Sequence, residues 1–134
     1  MPIEYSYLVA SSALLFIYIC GEMTAGHMQY STKELLGARD HFERPAGAFG
    51  RAQRSTRNMV EALVMFAPLI LIAGQTDSFN QWTSLASVLF FWSRVVYAPL
   101  YWFGVPVLRS LVWFVSVGAT VLVFFQVLPF SGAA

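Results

Sequence analysis

A polar stretch leads into an otherwise apolar segment in the middle of the chain. A helix places four of its polar side chains on one face, at spacings i, i+3, i+4 and i+7: Arg54, Arg57, Asn58 and Glu61. Arg57 and Glu61 are also spaced for a direct ion pair. Guanidinium groups match carboxylates, and the Glu61 carboxylate can receive an ammonium group. This face is therefore predicted to bind a small anionic, peptide-like ligand.

A second polar face follows later in the chain, where Arg94, Tyr97 and Tyr101 stand at i, i+3 and i+7. Arg94 lies nine residues before Phe103, which puts it about 13 Å from the end of an apolar helix. A guanidinium at that depth requires a partner or a water-filled cavity. One alternative is an ion pair with Glu61 that only holds two helices together. The other is a polar pocket between the helices, in which Tyr97 and Tyr101 contribute phenol groups.

The composition indicates the class of protein to which these two polar helix faces belong. Of 134 residues, 57% are hydrophobic and 11% are charged, whereas a soluble domain has about 25% charged residues. This excludes a disordered chain and argues against a water-soluble domain. A net charge of +1 excludes a basic surface for nucleic acid. One cysteine and two isolated histidines predict neither a disulfide framework nor a metal site.

A spanning helix needs about 20 apolar residues, and the chain has room for four. We predict an all-α polytopic membrane protein, a single four-helix transmembrane domain over residues 1–134, with a long loop at about 24–50. The predicted spans are about 3–23, 52–73, 82–103 and 107–128.

Basic residues set the expected orientation. They cluster in the first loop, at the start of the second span and at the third connection: Lys33, Arg39, Arg44, Arg51, Arg54, Arg57 and Arg109. The positive-inside rule then makes the first and third loops cytoplasmic and leaves both termini outside. Arg51 and Arg54 are also compatible with a simple role as flanking charges that snorkel to the interface.

The run from Arg54 to Glu61 resembles the R-x-x-R-N-x-x-E motif in the second helix of MAPEG proteins, the membrane-associated proteins in eicosanoid and glutathione metabolism. Arg94, followed seven residues later by Tyr101, is similar to the third-helix pattern of that family. Arg109 matches a basic position that opens the fourth helix. The resemblance covers nearly the whole chain and is stronger to the small bacterial members than to the animal synthases.

The resemblance implies a homotrimer in a bacterial inner membrane, with glutathione sites between subunits on the cytoplasmic side. It implies glutathione binding by the second-helix set and by the third helix: Arg54, Arg57, Asn58, Glu61, Arg94 and Tyr97. Arg109 is the first candidate to stabilise the thiolate, with Arg94 and Tyr101 as supports. The expected activity is glutathione transfer to hydrophobic substrates, or reduction of hydroperoxides, with substrate arriving through the lipid.

Two other functions remain open. Family enzymes often have a basic residue at the cytoplasmic end of the first helix, whereas Gly21–His27 contains no arginine here. This favours a non-catalytic protein that binds lipid or serves as an accessory subunit of a larger membrane complex. An ion or proton pathway through Glu61 and Arg94 ranks last, because the outer halves of the spans are almost uniformly apolar.

Overall fold

The computed structural model describes residues 1–37 and 47–128, which form five helices and no strand. The helices are α1 (Ile3–Gln29), α2 (Thr32–Leu36), α3 (Gly47–Gln75), α4 (Gln81–Trp102) and α5 (Pro106–Val127). All but α2 are long and apolar enough to cross a membrane. The predicted all-α architecture with four spanning helices is confirmed.

Two helices are longer than the apolar runs that identified them. Helix α1 continues past residue 23, the predicted end of the first span, to Gln29. Helix α3 begins at Gly47 rather than at residue 52, the predicted start of the second span. Both added segments contain glycine, and they pack on each other, because the buried Phe49 ring of α3 lies against Gly26 of α1. The predicted loop over residues 24–50 therefore contains the end of α1, the short α2 and the start of α3. Its residues Arg39, Asp40, His41, Glu43 and Arg44 lie outside the described residues.

Local signals separate the last three spans. Asp77 adopts a positive φ of 51° in the turn after α3. The Asn80 side chain then caps α4 and forms a reciprocal capping box with Thr83. Gly104, with φ of 71°, lies between α4 and α5, where a left-handed residue commonly ends a helix. Pro106 opens α5, where its missing N–H leaves no intrahelical bond unmade.

The spanning helices form a bundle in which α1 and α5 each pack against both α3 and α4. Phe66 of α3 stacks on Phe90 of α4, with ring centroids 4.0 Å apart, in a core that also contains Ile70, Ala86 and Val123. We call the two ends of the bundle the basic end and the far end. At the basic end α1 and α4 finish and α3 and α5 begin, and the far end carries the α3–α4 turn.

The far end encloses a carboxylate. Glu4, in the first turn of α1, is only 3% exposed. Its Oε1 accepts hydrogen bonds from Thr83 Oγ1 at 2.8 Å and from Ser84 Oγ at 2.9 Å. Nearby, Asn80 Nδ2 donates to Gln126 Oε1 at 2.8 Å and links α4 to α5. Polar groups at this end therefore satisfy one another across three helices.

Candidate functional site

A polar cavity of about 380 Å³ opens at the basic end between α3, α4 and α5. Its lining side chains are Arg54, Asn58, Tyr97, Tyr101, Arg109, Ser110, Trp113 and Phe114. Two residues of each predicted polar face therefore converge here, and the start of the fourth span adds Arg109. The cavity holds two guanidinium groups and two phenols, and no carboxylate lines it.

Tyr101 joins the two arginines of this polar cavity. Arg54 Nε donates to Tyr101 Oη at 3.2 Å, and the Arg109 guanidinium carbon lies 4.6 Å from the centre of the Tyr101 ring. Neither arginine forms an ion pair within residues 1–37 and 47–128. Arg109 also lies in the first turn of α5, where the helix dipole adds positive potential. The cavity is therefore suited to a negatively charged group.

Arg94 is fully buried behind the polar cavity instead of lining it. Its Nη2 donates to Asn58 Oδ1 at 2.7 Å, and its Nη1 donates to Ser116 Oγ at 3.3 Å. Its guanidinium carbon lies 4.3 Å from the centre of the Tyr97 ring, while its Nε has no hydrogen-bond partner. The sequence predicted that Arg94 contacts the ligand directly. In the structure Arg94 donates to Asn58, and it is Asn58 that lines the cavity.

Glu61 does not line the polar cavity. It lines a second, mainly apolar cavity of about 140 Å³ between α3 and α5. The lining residues are Asn58, Glu61, Ala62, Met65, Trp113, Ser116, Val117, Thr120 and Val121. Asn58 and Trp113 belong to both cavities, so the apolar cavity adjoins the polar one.

The ion pairs considered for Glu61 are not formed within the described part of the chain. Arg94 instead bonds to the neutral groups of Asn58 and Ser116. Three residues along a helix amount to about 300°, so Glu61 is turned about 60° from Asn58 and lies exposed on the bundle surface. Arg57 is also exposed, and it lines neither of the two cavities.

Sequence reasoning missed the contribution of α5 beyond its first turn. Ser110 and Trp113 line the polar cavity, and Ser116 binds Arg94. A signal was present, because Arg109, Trp113 and Ser116 stand at i, i+4 and i+7 and so share one helical face.

The end of α1 contributes no side chain to the polar cavity. A Cβ at Gly21 would lie 2.9 Å from the Trp102 ring, so this glycine permits close packing of α1 on α4. Trp102 is fixed further because its Nε1 donates to Ser55 Oγ and its carbonyl accepts from Arg51 Nε. Among the described residues no group of three His, Cys, Asp or Glu could hold a metal ion.

Fold and site together define an integral membrane protein of four spanning helices with a guanidinium-rich cavity at one end of the bundle. A family model described as MAPEG family matches residues 5–129, which include the arginine motif and most of all four spans. The chain belongs to the MAPEG family. No curated protein and no solved structure matches it.

Proposed function

We propose that the polar cavity binds glutathione. The observation that carries this proposal is the pair Arg54 and Arg109, which face one cavity without a carboxylate in its lining. Glutathione brings two carboxylates to a site whose cationic groups have no anion, and guanidinium forks suit carboxylates. The volume of about 380 Å³ lies within the range of about 300–1,000 Å³ that is usual for small-molecule sites.

We assign to Arg109 the role of stabilising the thiolate of glutathione. A nearby cation and a helix N-terminus both favour a thiolate over a thiol. Tyr101 lies against the Arg109 guanidinium and holds it at the cavity wall. The thiol proton would leave to water, and the thiolate would then be the nucleophile.

The apolar cavity supports hydrophobic substrates that enter from the lipid. It adjoins the polar cavity at Asn58 and Trp113. In a transferase, the thiolate sulfur forms a bond to an electrophilic carbon, and the leaving group departs with its electron pair. In a peroxidase, two glutathione thiols are oxidised to one disulfide while a hydroperoxide is reduced to an alcohol and water. Both reactions are compatible with the two adjoining cavities.

Glu61 supports a homotrimer with sites between subunits. An exposed carboxylate within a spanning helix is costly in lipid, so this face needs a cover. A second copy of the chain would cover it and bring Glu61 toward the ammonium group of a bound ligand. The positive-inside rule places the basic end in the cytoplasm, and we propose a bacterial inner membrane as the location.

A non-catalytic role is the second candidate, either lipid binding or membership of a larger membrane complex as an accessory subunit. The observation in its favour is that α1 adds no cation to the polar cavity, because Gly21 is packed on Trp102 and Glu22 follows it. A ligand carboxylate at that edge would lack one partner.

The proposal is tested with the purified protein in detergent. Calorimetry measures glutathione binding, ultraviolet difference absorbance reports a thiolate near neutral pH, and turnover is followed with chlorodinitrobenzene. Arg54→Ala is expected to weaken binding, and Lys33→Ala, an exposed cation on α2, is the matched control. Absence of both binding and turnover would overturn the proposal. Binding with neither thiolate nor turnover would support the non-catalytic role.

A further inference from the structure

We propose that Arg94 is a positioning residue, which fixes the side-chain amide of Asn58 so that it presents a hydrogen-bond donor to the ligand. Asn58 would accordingly select an oxygen acceptor, either a carboxylate or an amide carbonyl, at the place where the two cavities meet. The inference rests on the proposed function for the identity of the ligand. The orientation of the Asn58 amide depends only on the protein.

The donors and acceptors of Arg94 and Asn58 determine how the two side chains meet. A guanidinium carries five donors and no acceptor, whereas an asparagine amide has a donor side and an acceptor side. Arg94 Nη2 lies 2.7 Å from the Asn58 amide. A reversed amide would set N–H against N–H, so Asn58 Oδ1 must face Arg94.

Contacts from several helices hold Arg94 in place. Its side chain is fully buried, with Ser116 of α5 accepting from Nη1 and the Tyr97 ring stacked against the guanidinium. Tyr18 of α1 donates to the Arg94 backbone carbonyl. All four spanning helices therefore contribute to the placement of one guanidinium, which in turn orients Asn58.

The Asn58 amide also has a donor side that Arg94 does not contact. Arg94 is the one side-chain hydrogen-bond partner of the Asn58 amide in the described part of the chain. Asn58 is half-buried and lines both cavities, so its Nδ2 is left to donate to a bound molecule. The Arg94 charge, which has no carboxylate partner within residues 1–37 and 47–128, polarises the amide and strengthens that donor.

Asn58→Asp separates this role from a purely structural one. The aspartate still accepts from Arg94 and adds an opposite charge, so the unfolding temperature is expected to stay the same or to rise. It has lost the N–H that faces the ligand, and glutathione affinity is expected to fall about 10- to 100-fold. Asn80→Asp at the far end is the matched control, because aspartate also caps helices well, and its affinity is expected to be unchanged.

A second arm needs no ligand. The chain has two asparagines, Asn58 and Asn80, so selective ¹⁵N labelling in lipid nanodiscs gives two side-chain NH₂ signals. Arg94→Lys keeps a donor-only partner and is expected to leave the Asn58 signal near its wild-type position. Arg94→Gln offers both a donor and an acceptor, so the Asn58 signal is expected to shift or to split. Asn80 serves as the internal reference.

The outcomes are distinct. Unweakened glutathione binding by Asn58→Asp, or an unchanged Asn58 signal in Arg94→Gln, would overturn the inference. If the wild-type protein binds no glutathione, the proposed function fails. In that case the ligand-free spectra still decide whether Arg94 fixes the Asn58 amide.

Discussion

Among the described residues, each end of the bundle buries one charged side chain, and the two side chains have different hydrogen-bond partners. At the far end, the Glu4 carboxylate accepts from the hydroxyls of Thr83 and Ser84. At the basic end, Arg94 uses Asn58 and Ser116 as acceptors, and its Nε remains without a partner. One oxygen of Glu4 accepts from two hydroxyls, whereas one N–H of Arg94 has no acceptor.

Hydrogen-bond donors that have no acceptor within the protein distinguish a binding site from a structural polar contact. Buried polar groups that satisfy one another hold helices in register and leave nothing for a ligand. Arg54 and Arg109 instead face an open cavity, with the phenol oxygen of Tyr101 the acceptor that Arg54 Nε uses. The comparison therefore predicts that changes at the basic end affect ligand chemistry, while changes at the far end affect stability.

The largest effect is expected from Arg109→Ala. Removal of the cation assigned to the thiolate is expected to lower kcat/KM for glutathione transfer about 100-fold or more, as loss of one charge-stabilising group commonly does. The thiolate absorbance should disappear while the unfolding temperature stays close to that of the wild type. Lys33→Ala is the control. Full activity in Arg109→Ala would show that Arg109 takes no part in the reaction.

Glu4→Leu tests the far end. Loss of the carboxylate leaves the Ser84 hydroxyl without its acceptor, while Thr83 Oγ1 can still donate to the Asn80 carbonyl. The change is expected to cost about 1–3 kcal/mol of stability. Unfolding in mixed detergent and dodecyl sulfate micelles measures the loss, and Glu4→Gln, which keeps an acceptor oxygen, should lose less. Glutathione affinity of the folded protein should not change. A large loss of affinity would contradict the division between the two ends.

Gly74→Ala tests packing at the same end. A Cβ at Gly74 would overlap the phenol of Tyr5, and overpacking of this kind is expected to cost about 1–3 kcal/mol. Gly118→Ala is the matched helical control, because a Cβ there meets no atom within 4 Å. Tyr5→Leu combined with Gly74→Ala should recover part of the loss. Equal stability of the two alanine variants would show that Tyr5 moves aside without cost.

The smallest effect is expected from Tyr101→Phe. The variant loses the hydroxyl that accepts from Arg54 and keeps the ring beside Arg109. Loss of one hydrogen bond is expected to raise KM for glutathione about 2- to 10-fold with little change in kcat. Tyr101→Leu, which also removes the ring, should lower kcat as well. If both variants lower kcat equally, the hydroxyl rather than the ring supports Arg109.

Much of the fold could be predicted, because it depends on local properties. Apolar runs of spanning length identified the four long helices, and the break at Gly104–Pro106 followed from residue type. The helices α1 and α3 extend several residues beyond the predicted spans, because a helix can continue past the apolar run that crosses the membrane. Family membership was predicted from the spacing of Arg54 to Glu61 and is confirmed by the family match.

The site was predicted less completely. Helical spacing put Arg54 on one polar face and Tyr97 with Tyr101 on another, and these three side chains line one cavity in the structure. It could not show that Arg94 bonds to Asn58 and not to Glu61, because spacing within one helix says nothing about the rotation of its neighbour.

The sequence by itself determined the membrane class, the number of spanning helices and the polar faces of the second and third spans, since apolar length and residue spacing are properties of single segments. Only the tertiary structure decided which polar groups meet. The enclosure of Glu4 by α4 hydroxyls and the orientation of Asn58 by Arg94 depend on the depth and rotation of packed helices. Those quantities are set by side-chain packing across the whole bundle, which no single segment contains.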